Sequence, residues 1–320
     1  MRYQRIIQAI MDHPWAILPS KLDAILGFIE IQANGGKLHP EEIRAAIGNG
    51  GRKTEPKQEG DIGVIPVLGT ITHRMGSLEE ISGGTSLQRF TNQLRGFVED
   101  DSIKAIVLDM DSPGGSTAGL QEAADEIYKA RGQKPIVAQA NTLMASAAYF
   151  LGAQASEVVA SPSGYVGSIG TILVHADESK FWDEKGVKFT TITAGKDKAL
   201  GSELEPLEDE GRKYLQNIVD QAYDQFVKSV ARGRGVAVSE VKGESYGQGR
   251  VLTAKEAKSA GLIDRIGTME DTLYRLAGRS KSTRVVVPSE TVTFPPPTEH
   301  DNKHEHAAAY FEFIKRKNER

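Results

Sequence analysis

Ser146 lies in Asn141-Thr142-Leu143-Met144-Ala145-Ser146-Ala147-Ala148, where an apolar run gives way to small residues. The pattern reads as a strand that ends, a short loop, and a serine opening a helix. Free N–H groups and the positive potential at a helix start favour negative charge on that hydroxyl. Ala145, Ala147 and Ala148 leave room for a substrate. Serine is also a preferred helix N-cap, so residue type alone leaves two readings, a nucleophile or a cap. Upstream, Asp111-Ser112-Pro113-Gly114-Gly115 follows Lys104–Met110, which reads as a buried strand. Proline stiffens that connection, and the two glycines let backbone N–H groups come close to an oxygen atom. Such a turn can supply donors to a developing oxyanion, or it can be a tight strand-to-helix turn and no more.

A serine nucleophile needs a base. Of seven histidines, only His73 and His175 fall in the dense part of the chain. Ala194-Gly195-Lys196-Asp197-Lys198-Ala199-Leu200-Gly201 offers two lysines just after a predicted strand. A free lysine amine, with a pKa of about 10.4, acts near neutrality only when desolvation lowers it by about three units. Cysteine is absent, which excludes a thiol nucleophile, disulfides and thiolate metal sites. His300, His304 and His306 have metal-compatible spacing but no partner cluster, so no metal is expected, and no cofactor either. Asp109, Asp111, Glu203 and Glu205 read as turn and surface charges, and Trp15 and Trp182 as packing residues.

These groups must be held by a fold. The 320 residues are 39% hydrophobic and 26% charged, a globular mixture, and the net charge of −4 gives no basic field for nucleic acid. Residues 1–47 carry helical periodicity, for example Leu22, Ile25, Leu26 and Ile29, and read as a helical extension. Residues 48–60 are rich in glycine and charge and read as a linker. Residues 61–278 form the dense domain, and 279–320 a polar, proline-rich flexible tail that could end in a short helix. Within the domain, Ile62–Leu68 reads as a strand put at a sheet edge by Pro66. Helices are predicted over Thr85–Glu99, over Ser116–Arg131, from about Ala145, and along the face Leu215, Ile218, Val219, Ala222, Phe226 and Val230. Strands are predicted at Pro135–Ala140, Glu157–Ala160 and Lys188–Thr193. The alternation implies repeated βαβ units in an α/β sheet, with chemistry at the turns after strand ends.

Five blocks then occur in order: DSPGGSTAG (111–119), MASAAYFLGAQA (144–155), GYVGSIGTI (164–172), ITAGKDKALG (192–201) and GQGRVLTAKEAKSAGLID (247–264). Together they resemble the signal peptide peptidase A family of serine peptidases, over about residues 60–270. The resemblance implies a ClpP/crotonase-like core. It implies Ser146 as nucleophile, Lys198 as general base with Lys196 as the fallback, and Ser168 orienting the lysine amine. Oxyanion donors would be the N–H of Gly115, with Gly114 shaping the turn, and that of Ala147. The related ClpP pattern uses a histidine base, for which His175 is the candidate here.

Members of this family are usually membrane-anchored, yet the stretch Pro135–Ser156 is interrupted by Gln139, Asn141, Thr142 and Gln154 and reads as protein core. Without a span, the chain resembles the phage-encoded branch, which includes prohead proteases. That implies scaffold, portal or capsid proteins as substrates, a ring-forming homo-oligomer, and a place in the host cytoplasm or inside the prohead. Two rivals remain open at this level. One is a crotonase-type acyl-CoA enzyme using the diglycine amides for an enolate; the other is an inactive assembly protein on the same fold.

Overall fold

The computed structural model describes residues 14–33, 55–74 and 84–278. The chain divides into two units, Met1–Ser280 and Lys281–Arg320, and every described residue belongs to the first. The predicted terminal helix and the histidine-rich tail lie outside the described residues.

In chain order the elements begin with β1 (Trp15–Ile17), α1 (Pro19–Ala33), β2 (Lys57–Glu59), β3 (Ile62–Leu68), β4 (Ile71–Thr72) and β5 (Thr85–Ser86). Next come α2 (Leu87–Glu99), β6 (Ala105–Ser112), β7 (Gly114–Ser116), α3 (Leu120–Ala130), β8 (Ile136–Ala145) and α4 (Ala147–Gly152). Then follow β9 (Glu157–Ala160), β10 (Tyr165–Gly167), α5 (Ser179–Glu184), α6 (Asp209–Arg234) and α7 (Val238–Val241). The last are β11 (Val251–Thr253), α8 (Ala254–Ser259), β12 (Arg265–Ile266) and α9 (Met269–Leu276).

Among the described residues the main sheet runs β11-β10-β8-β6-β3-β2, with β9 and β12 branching beside β8. Pairs β3–β6, β6–β8, β8–β9 and β8–β10 are parallel, as βαβ units require. The α/β order is the one expected. Strand β6 shows why its sequence forms it. Ile106, Leu108 and Met110 point to one face and enter the main core with α2, α3 and α4, while Val107 points to the other. On that second face Val107 meets Ile62, Val64, Val137 and Val159 under Met269, Leu273 and Leu276 of α9. Helices follow the 3.6 period: Leu87, Phe90 and Leu94 are the buried face of α2, and Leu120, Ala123, Ala124, Ile127 and Ala130 that of α3.

Several expectations are corrected. β3 is not an edge strand: β2 pairs with Ile62–Val64, while Pro66 pairs only with Asp109 of β6, so its missing N–H costs no ladder bond. The predicted linker holds β2, and the N-terminal extension holds a strand as well as a helix. Ser116 belongs to β7, and the helix starts only at Leu120, after Gly119 turns the chain at φ 73°. β8 takes in Asn141-Thr142-Leu143 in place of the expected loop. Asp109 is a strand residue hydrogen-bonded by the Asn141 amide rather than a turn charge. Desolvation raises its carboxyl above the ordinary range, the Asn141 bond opposing.

Lys188–Thr193 forms no strand. It lies in a long excursion in which no residue from 171 to 210 is buried. There Trp182 stacks edge-on against Phe181 and Phe189, with centroids 5.2 and 5.5 Å apart. Phe181, Val187, Phe189 and Ile192 are exposed, the last by 92%.

Candidate active site

Strand β8 is divided lengthwise. Val137–Ala140 pair with β9, and Leu143–Ala145 with β10, and the pairing of β8 with β6 shifts register between the two halves. Its end delivers Ser146 at the top of the sheet. The Ser146 N–H donates to the Gly167 carbonyl (2.8 Å), and its carbonyl accepts the first helical bond from Phe150 (2.9 Å). Between these fixed points Ser146 adopts φ 55° and ψ −117°, a region that side-chain-bearing residues rarely occupy. Such strain costs about 1–3 kcal/mol and persists only where packing enforces it.

Packing does so here. Every residue of α4 is buried. The Tyr149 hydroxyl donates to the Leu262 carbonyl (2.9 Å), and burial drives that phenol far above its ordinary value. Phe150 packs on Phe226 of α6 at 5.0 Å, and the Gln154 amide donates to the carbonyls of Phe150 and Ser229. The N-cap reading of Ser146 fails, because its hydroxyl makes no capping bond. Instead it meets the Gly170 carbonyl at 3.5 Å. The residue is 1% exposed.

The diglycine segment is brought against this serine. Gly114, at φ 103°, has no room for a side chain: a Cβ there would lie 2.9 Å from Ser146 Cβ and 3.0 Å from the Ala147 nitrogen. At Gly115 a Cβ would lie 1.8 Å from the Ile71 carbonyl oxygen. Both glycines are therefore required by close backbone approach. Contrary to the turn reading, they belong to strand β7, paired with β1 and β4. Ser112 fixes their path, its hydroxyl donating to the Gly69 carbonyl (2.6 Å) and accepting from the Gly114 N–H (3.1 Å). Gly114 and Ala147 are thus neighbours of Ser146, and Gly115 continues the strand that holds Gly114.

Ser168 sits just past β10, buried, at φ 55°, its N–H donating to the Arg250 carbonyl (2.8 Å). Since Gly167 pairs with Ala145, Ser168 and Ser146 extend from adjacent strand ends. The lysines differ. Lys196 and Lys198 are both exposed in the excursion, and the Lys198 N–H donates to the Gly195 carbonyl (3.1 Å). Among the described residues no hydrogen bond joins Lys198 to Ser146. His175 lies in the same excursion, its Nε2 3.4 Å from the Ser202 carbonyl, and His73 is exposed. Among the described residues no group of three or more metal-ligating side chains converges, and no helix is long and apolar enough to cross a membrane.

Sequence reasoning missed Ser112, and it missed β1. The signal for β1 was a short apolar run, Trp15-Ala16-Ile17-Leu18, held between Pro14 and Pro19.

Residues 129–283 match the family model of peptidase family S49. The chain is 33% identical over 216 residues to the head-tail preconnector protein GP5 of Enterobacteria phage P21, covering 68% of this chain and 42% of that one. It is 30% identical over 246 residues to the capsid assembly protease C of Escherichia phage lambda, covering 75% and 55% respectively. A putative protease of Methanocaldococcus jannaschii is 34% identical over 187 residues, covering 58% and 60%. The chain thus spans about half the length of the curated relatives it matches. Among solved structures it is similar to the 1510-N membrane protease specific for a stomatin homolog from Pyrococcus horikoshii, with TM-score 0.38 and 14% identity over 67% of this chain and 78% of that one. The S49 match begins in α3 and spans Ser146 and its helix, Ser168 and both lysines, so the chain carries a peptidase family S49 domain.

Proposed function

We propose that the protein is a serine endopeptidase in which Ser146 is the nucleophile and Lys198 the general base. The observation that carries this reading is the strained, buried Ser146, its hydroxyl unused for capping, set against Gly114 and the Ala147 N–H. A neutral Lys198 would take the Ser146 proton as the alkoxide attacks a peptide carbonyl. The N–H groups of Gly115 and Ala147 would hold the oxyanion, and protonated Lys198 would hand its proton to the leaving amine before water releases the acyl group. Ser168 would orient the amine.

A lysine serves as a base only where it is shielded from water, and Lys198 is exposed within one chain. The same excursion carries Phe181, Val187, Phe189 and Ile192 on its surface, apolar area of the kind a partner covers. The reading is therefore a homo-oligomer in which this excursion packs on a neighbouring protomer and Lys198 completes a site across the interface. The phage relatives, one named a capsid assembly protease and the other a head-tail preconnector, support scaffold, portal or capsid proteins as substrates, acted on in the host cytoplasm or the assembling head.

Labelling with an alkyl fluorophosphonate tests the nucleophile. Wild type is expected to be modified on Ser146, and Ser146→Ala to be unmodified and inactive. Turnover by Ser146→Ala near the wild-type rate would rule the reading out.

A further inference from the structure

Strand β1 lies where a substrate would have to lie. Trp15, Ala16 and Ile17 pair antiparallel with Ser116, Gly115 and Gly114, the strand that carries the oxyanion residues. On the opposite edge Trp15 exchanges two hydrogen bonds with Ile172, its N–H to the Ile172 carbonyl at 2.7 Å and the return bond at 2.8 Å. Ile172 is two residues beyond Gly170, whose carbonyl meets the Ser146 hydroxyl. The ends are tied as well: the Leu18 N–H donates to the Pro113 carbonyl (3.0 Å), and the Pro14 carbonyl accepts from the Thr117 hydroxyl (2.9 Å) and N–H (3.3 Å). A Cβ built on Gly114 would lie 2.1 Å from the Ala16 carbonyl oxygen and 2.9 Å from Ser146 Cβ. That carbonyl and the serine are therefore neighbours across Gly114. Trp15, Ala16 and Ile17 are all buried.

Two strand edges flanking a serine, one of them holding the N–H donors, are what an extended peptide needs to bind by strand addition. Both are already filled by this chain. We infer that Trp15–Ile17 is a built-in occupant of the peptide cleft, a reversible autoinhibitory strand that must leave before a substrate strand can take its hydrogen bonds. The inference rests on the proposed nucleophilic role of Ser146. It also indicates what the cleft accepts: an extended segment with a small residue flanked by large apolar ones, as in Trp-Ala-Ile. Occupancy lowers apparent affinity in proportion to the closed fraction, so releasing the strand lowers KM for added peptide and leaves kcat unchanged.

The test exploits the absence of native cysteine. In the full-length double variant Pro14→Cys with Thr117→Cys, oxidation ties β1 to β7 and reduction frees it. Two probes are compared in both states: a small alkyl fluorophosphonate, which reports whether Ser146 is nucleophilic, and a tripeptidyl phosphonate, which needs the strand site. Oxidation is expected to slow labelling by the peptidyl probe about tenfold or more, with recovery on reduction. Equal peptidyl labelling in both states, with Ser146 still reactive, would show that β1 is only a wall of the fold and overturn the inference. Failure of the small probe to label the reduced protein would instead remove the nucleophile, and the autoinhibitory reading with it. Ile17→Asp, which places a charge at a position only 2% exposed, is expected to accelerate peptidyl labelling by about the same factor.

Discussion

The two members of the proposed dyad sit in opposite surroundings. Ser146 is held by the end of β8, a fully buried helix and the close approach of the diglycine strand. Lys198 occupies an excursion in which nothing between 171 and 210 is buried, and in which Trp182 stacks edge-on against Phe181 and Phe189. One half of the chemistry is made by folding of the single chain. The other half has its residues on the chain but lacks the shielding that a lysine base needs. This contrast teaches that the nucleophile should survive dilution and the base should not.

The comparison is broken most severely at its centre. Ser146→Ala and Lys198→Met are each expected to lower kcat by about 10⁴-fold or more, read by peptide cleavage, with thermal unfolding unchanged for Lys198→Met. Gly114→Ala comes next, because a Cβ there collides with the Ala16 carbonyl and with Ser146. A fall of about 10²–10³-fold in activity is expected from displaced oxyanion donors, together with a lower melting temperature.

In the folded core, Phe226→Ala removes the ring that braces Phe150 and is expected to cost about 3–5 kcal/mol by denaturant titration. Arg234 and Asp264 tie the end of α6 to β9. Burial alone would raise the Asp264 carboxyl, but hydrogen bonds from Arg234 and the Val158 N–H, together with the Arg234 charge, hold it below its ordinary value. A depressed carboxyl stabilises the fold above the ordinary carboxylate range and loses that contribution as pH falls through the folded value. The Asp264 side chain is 40% exposed, so water screens the pair, and Asp264→Asn is expected to lower stability at neutral pH by only about 1 kcal/mol and to flatten the acid side of the stability–pH curve.

The smallest effect on folding belongs to the exposed excursion. Phe181→Ser with Phe189→Ser is expected to change single-chain stability by no more than about 0.5 kcal/mol, while shifting the proposed homo-oligomer toward monomer in sedimentation. Unchanged sedimentation with full activity would remove the interface role from this region.

The legibility of the sequence divides along the same line. Ser146, Gly114 and Gly115 stand out in the sequence because small residues beside a buried strand have few uses; in the structure the two glycines are crowded by neighbouring backbone and Ser146 has a positive φ. β6, α2 and α3 were readable because each buries a long periodic face. Three residues are too few for a period, so β1 escaped, although its pairing places it at the site. Lys188–Thr193 misled for the converse reason: β-branched composition suits a strand, but this segment has no neighbouring strand to pair with among the described residues. The rule that proline marks an edge applies to whole strands, whereas only half of β3 has a second neighbour and Pro66 lies in the other half.

The most direct measurement mixes two inactive proteins. Ser146→Ala keeps Lys198, and Lys198→Met keeps Ser146. If the excursion of one protomer completes the site of the next, co-refolded mixtures should regain cleavage up to about a quarter of the wild-type rate, rising with protein concentration. Mixed oligomers that form yet stay as inactive as either parent would contradict a base supplied across the interface.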